Sequence, residues 1–179
     1  MKIVIIVVMF LSFTVLTKGY SQELFALRTG EETPNIPLAI INSKDSLVYI
    51  QEYKGKLIIL DFWGTWCNSC VRFFPKLDTL QNLFERDLKI ILVNSITSGD
   101  DKRRVSEFLN KRRSLGMPIN LTVAVEDSLA TKLFPNKYLP TYVWISPNGK
   151  LLGVTGKEFV TEMNIRSILE TEKFDKKNN

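Results

Sequence analysis

The stretch from Leu57 to Phe62, "LIILDF", is an apolar run of strand length broken only by Asp61, and it leads directly into "WGTWCNSC". A run without polar alternation fits a strand covered on both faces, as in a sheet flanked by helices. The segment after the second cysteine, "VRFFPKLDTLQNLFER", places Phe73, Phe74, Leu77, Leu80, Leu83 and Phe84 at helical spacing. Both cysteines of the chain, Cys67 and Cys70, therefore fall on a strand-to-helix turn.

The elements around this turn follow from the same patterns. "EETPNIP" reads as an extended loop, and "LAIINSKDSLVYI" as two short strands of a hairpin around the polar "NSKDS". A second apolar strand is predicted from Leu88 to Ile96 and a helix from Asp101 to about Leu115, which with the first strand makes a βαβ unit. A further strand is expected from Ile119 to Val125, then a short helix through Phe134 with Asp127 as its cap. Thr141 to Ile145, the turn "SPNGK" and Lys150 to Thr155 read as a hairpin, and Met163, Ile165, Ile168 and Leu169 mark a closing helix. The sum is a mixed-sheet α/β domain.

Two thiols three positions apart, in a chain with no histidine, restrict the chemistry. A disulfide across so short a loop removes little entropy from the unfolded chain and stabilises little. A usual zinc set needs four ligands, which two cysteines without histidine do not supply. The C-x-x-C spacing suits instead a thiol that attacks a disulfide and a second that resolves the mixed disulfide. A helix that starts at the motif offers free N–H groups and the positive end of its dipole to the first sulfur. Cys67 is accordingly read as the nucleophile at an exposed turn, and Cys70, one turn into the helix, as the resolving thiol. Asp61 follows "LIIL" into the interior, where an ionised carboxylate is costly and its pKa rises; such an acid suits proton exchange with Cys70, with a structural place in the core as the alternative.

"DFWGTWCNSC" resembles the active-site segment of thioredoxins, and "YLPTYVWISPNGK" resembles their second signature, a cis-proline followed by a hairpin. Asp61, six residues before Cys67, and Pro75, five after Cys70, stand where that family keeps a buried acid and a helix kink. The segment "PNIPLAIINSKDSLVYIQEYKGK" and the stretch after Ile96 are similar to additions found in the secreted TlpA/ResA-type branch. The resemblance implies a thioredoxin fold, a mixed central sheet flanked by helices with an added N-terminal β-hairpin. It implies catalysis by Cys67, Cys70 and Asp61, and substrate binding by Trp66, Leu139 and Pro140. A cis bond before Pro140 would leave the Leu139 backbone free to pair with an extended substrate, and Gly156 would allow close approach there. No metal or other cofactor is implied. The partners implied are disulfide-containing or dithiol proteins, with a membrane-linked electron donor; nucleic acid is not among them.

The chain departs from the family pattern in three places. The dipeptide between the cysteines is Asn68-Ser69, with neither the Gly-Pro of thioredoxins nor the Pro-His of strong oxidants. Phe73 stands where haem-maturation members carry an acid, so apocytochrome reduction is not implied. Thr65 lies two residues before Cys67, which does not meet the P-x-x-x-T-x-x-C pattern of peroxiredoxins.

At the start of the chain, Lys2 precedes an apolar stretch from Ile3 to Leu16, and Gly19 and Ser21 are small residues at signal-peptidase spacing. The stretch is shorter than the roughly 20 residues of a spanning helix, which favours a cleaved signal over a membrane anchor. Residues 1–21 are thus expected to be a signal peptide, 22–170 a thioredoxin-like domain and 171–179 a polar, frayed tail, in a periplasmic protein. The net charge of +5 includes Lys2 and Lys18. The clusters "DKRR" and "KRR" lie at helical spacing and read as a solvated helix face, not a nucleic-acid patch. The expected function is an exported thiol:disulfide oxidoreductase that reduces protein disulfides through its C-x-x-C dithiol. A disulfide oxidase or isomerase with the same thiols, and a binding module with little turnover, are the alternatives.

Overall fold

All seven residues of β3 (Leu57–Trp63) are buried, in keeping with its apolar run. The structure, a computed structural model, describes residues 26–178 other than 45, so the expected signal segment lies outside the described residues. On one side β3 pairs in parallel with β4 (Leu88–Ser95), and β4 in parallel with β5 (Thr122–Asp127). On the other side it pairs antiparallel with β6 (Thr141–Ile145), which forms a hairpin with β7 (Leu151–Thr155). The early hairpin, β1 (Pro37–Ile40) and β2 (Leu47–Tyr49), joins antiparallel to β5. The result is one mixed sheet of seven strands in the order β2-β1-β5-β4-β3-β6-β7.

Alternation along the strands divides the interior in two. Leu57, Ile59 and Trp63 face a cluster built with α1 (Asn68–Leu83), α2 (Lys102–Ser114) and α4 (Glu162–Asn178) through Phe74, Leu77, Val105, Leu109, Ile165 and Leu169. Ile58, Leu60 and Phe62 face a second cluster closed by α3 (Ser128–Leu133) and by Ile36 and Leu38 of the incoming chain. Asp61 falls by the same alternation on the α1 side. The site residues thus gather where β3 ends and α1 begins.

Three expectations are corrected. The strand predicted from Ile119 begins at Thr122, because pairing with β4 starts there and Ile119 instead lines a groove with Met117 and Pro118. Asp127, expected as a helix cap, ends β5 and directly precedes α3, the position a cap occupies. The return strand starts at Leu151; Lys150 makes an isolated bridge with Glu32, part of a short run in which residues 30–33 bond backbone to backbone with 149–151. The tail read as frayed continues as helix to Asn178.

Candidate active site

Cys67 is the N-cap of α1. Its N–H closes a turn onto the Gly64 carbonyl (3.0 Å), and its sulfur accepts from the Cys70 N–H at 3.3 Å. That is one of the helix-start donors with no carbonyl to bond. Cys67 and Cys70 are joined as a disulfide, with the Ser69 hydroxyl 3.4 Å from the Cys67 sulfur. Cys67 was expected at an exposed turn, but in this bonded state it is only 4% exposed, while Cys70 is fully enclosed. Cys67 is the more exposed residue of the two only by this small margin.

Trp63 is buried edge-on to Phe74, at 5.2 Å between ring centres, and tilted against Phe108. Trp66 is 56% exposed, yet its indole N–H donates to the Ser98 carbonyl (2.8 Å). Gly64 explains how the ring lies so close to the turn: a Cβ there would come within 2.9 Å of the Ser98 Cβ and 3.3 Å of the Trp66 Nε1.

Asp61 is wholly buried. Its cross-strand partner is Tyr142, also wholly buried, and directly opposed residues place their side chains on one face. Neither carboxylate oxygen nor the Tyr142 hydroxyl meets a hydrogen-bond partner of good geometry among the described residues. Burial pushes the Asp61 carboxyl well above the ordinary carboxylate value, and the Tyr142 hydroxyl beside it draws it partly back. Tyr142 is itself pushed upward, chiefly by burial and then by the charge of Asp61. The two groups therefore feel one another without a fixed bond. The Phe73 ring packs edge-on against Tyr142, 6.0 Å between centres, so the position where an acid is otherwise found holds an aromatic contact.

The Leu139–Pro140 bond is cis. Leu139 is part-buried against both apolar clusters, and its backbone N–H and C=O make no hydrogen bond to any described residue. Gly156 is approached by the Glu158 carboxylate, which would have to move aside for any Cβ there.

One group escaped the sequence reading. The side chain of Asp100 is fully shielded from solvent. Its Oδ2 accepts from the Thr65 N–H (2.6 Å) and from Asn94 Nδ2 (3.0 Å), its Oδ1 from the Thr65 hydroxyl (2.7 Å), and Arg104 Nε lies 3.2 Å away. Burial raises its pKa, but the bonds from Thr65, Asn94 and Ser98 outweigh this and leave it lowered. The only signal in the sequence was an acid ahead of a helix. Its neighbour Asp101 takes the cap role there, accepting from Arg104 N–H. Among the described residues no three His, Cys, Asp or Glu gather closely enough to hold a metal ion.

A C-x-x-C pair at a strand-to-helix turn, a cis-proline just ahead of the neighbouring strand β6 and a buried acid on β3 define a dithiol site of the thioredoxin class. The family model described as thioredoxin-like matches residues 55–151. The thiol-disulfide oxidoreductase ResA of Bacillus subtilis is 30% identical over 72% of this chain and 68% of its own length. The thioredoxin-like protein YneN of the same organism is 28% identical over 52% of this chain, a match spanning only 54% of YneN. Among solved structures, a Chlorobium tepidum protein described as thiol:disulfide interchange protein DsbE superposes with a TM-score of 0.62 at 24% identity, covering 84% of this chain and 98% of its own. The chain belongs to the thioredoxin-like family, in its TlpA/ResA-type branch of thiol:disulfide oxidoreductases.

Proposed function

We propose that this oxidoreductase is exported and reduces disulfides of other proteins, with Cys67 as nucleophile, Cys70 as resolving thiol and Asp61 as proton carrier. The observation that carries the reading is the placement of the Cys67 sulfur at the N-cap of α1, accepting the Cys70 N–H. The same N–H favours a thiolate at that sulfur. In the forward direction the Cys67 thiolate attacks one sulfur of a substrate disulfide. A Cys67–substrate disulfide forms and the other substrate sulfur leaves as a thiolate. Cys70, its proton taken by ionised Asp61, then attacks the Cys67 sulfur and releases the second substrate thiolate. The substrate gains two electrons, the enzyme keeps the Cys67–Cys70 disulfide, and an external dithiol donor restores it. Trp66 and the open backbone of Leu139 beside Pro140 are the contacts assigned to an extended substrate. Export rests on the basic start, apolar stretch and small residues of positions 1–21. Among the described residues no helix is long and apolar enough to cross a membrane.

The test is to trap adducts in the producing cells. Cys70→Ser is expected to accumulate reductant-sensitive mixed disulfides, because serine cannot resolve them, and Cys67→Ser to accumulate none. Digestion of the same adducts should give Gln22 as the first residue. Equal trapping by both variants would overturn the assignment of roles, and an intact Met1 would overturn cleavage. Catalytic insulin reduction by wild type supports the reductive direction; none would favour the binding module.

A further inference from the structure

The turn that carries Cys67 has no residue that fixes its own backbone. From Gly64 to Val71 the sequence is "GTWCNSCV", without proline between or beside the cysteines, so nothing in the turn locks φ. Its order must come from outside, and the contacts converge on the segment 94–100. Asp100 takes both the N–H and the hydroxyl of Thr65. The Ser98 carbonyl takes the Trp66 indole, and the Ser98 Cβ fills the place a Gly64 side chain would need. The segment is anchored in turn on the other side, where Ser95 and Thr97 hydroxyls both donate to the buried Asn136 Oδ1 (2.8 and 3.0 Å), at the start of the loop that leads to Pro140.

We propose that Asp100 is the positioning residue of the nucleophile: its buried carboxylate clasps Thr65 and so fixes Cys67 against the first N–H groups of α1. This rests on the dithiol reading of Cys67 and Cys70. The chemistry of the clasp requires a carboxylate. Thr65 N–H, Thr65 O–H, Asn94 Nδ2 and Arg104 Nε are all donors, and they occupy the acceptor capacity of two ionised oxygens. An asparagine of the same shape offers one oxygen and turns an NH2 toward donors. The clasp opens even though the volume is unchanged. Arg104 stands over the carboxylate from α2, so the negative charge is compensated where it lies.

Positioning and a mere field effect differ in sign. If Asp100 acted on Cys67 only through its negative charge, removing that charge would favour the thiolate. If it positions the turn, removing it lets the sulfur drift from the helix start and disfavours the thiolate. The test is the alkylation rate of Cys67 against pH in the reduced full chain carrying Cys70→Ser, for otherwise wild-type protein, Asp100→Asn, Thr65→Val, Thr65→Ser and the Asp100→Asn/Thr65→Val double variant. We expect Asp100→Asn to move the midpoint upward and to lower the rate at neutral pH by about tenfold, the loss that follows when the thiolate fraction falls by that factor. Thr65→Val should go the same way by less, Thr65→Ser should match wild type, and the double variant should add little to Asp100→Asn. An unchanged or downward midpoint in Asp100→Asn with intact circular dichroism overturns the proposal, as does a lower melting temperature alone. Should Asp100→Asn fail to fold, Thr65→Val against Thr65→Ser decides it. The titration needs no turnover, so it fails separately from the dithiol reading, which falls if wild type exchanges no disulfide.

Discussion

Asp61 and Tyr142 set the acid–base character of the interior, and their effect has a definite sign. The folded-state value of Asp61 is raised by burial above an unfolded value of about 3.9. Its contribution to stability is therefore fully present below that unfolded value and is lost as pH rises through the folded one. Asp61→Asn removes this dependence. The variant should melt progressively higher relative to wild type as pH is raised from acid toward neutral, and thermal melts across a pH series check it. Tyr142→Phe deletes the hydroxyl that draws the carboxyl back down, so the Asp61 titration, followed by carboxyl NMR, should move further upward; an unmoved titration would show that the two groups do not interact. Asp61 was legible as a buried acid because it follows "LIIL". Tyr142 was not, because it is identified only by the register of β3 against β6, and a sequence does not print its register.

The elements were legible where a period was long and unbroken. β3, α1 and α2 lie where their apolar spacing put them, while β5 slid because "INLTVAV" continues an apolar pattern upstream of its pairing. The segment Ile96–Ser98, a short 3₁₀ turn, carries no period at all. Its role comes from contacts of Ser98 with Trp66 and of Thr97 with Asn136, about thirty to forty positions away, which local pattern does not reveal. In α1 the energetics are simpler. Phe74 is 3% exposed and packs against Trp63, beside the kink position Pro75, which sits inside the helix. Phe74→Ala should cost about 3–5 kcal/mol in a urea titration, the usual loss for an emptied aromatic site. A cost below 1 kcal/mol would mean that α1 collapses onto the vacancy.

At the scale of the whole molecule, the sheet order places strands side by side that are far apart in the chain. β3 meets β6 roughly eighty residues later, and β1 meets β5 at a similar distance. Pairings of such separation carry a large closure entropy before they return any contact, so refolding of the reduced protein is expected on the order of milliseconds to seconds. Stopped-flow fluorescence of the buried Trp63 and Trp144 measures it, and a microsecond rate would contradict the argument. The order of synthesis adds a second effect. Synthesis delivers β3, both thiols and α1 well before β6 exists, so for that interval one edge of the central strand has no neighbour and the thiols stand without the cis-proline segment. An unfilled apolar edge accepts a foreign strand as readily as its own. The nascent chain is thus most prone to aggregation and to stray cross-linking while its last third is still being made.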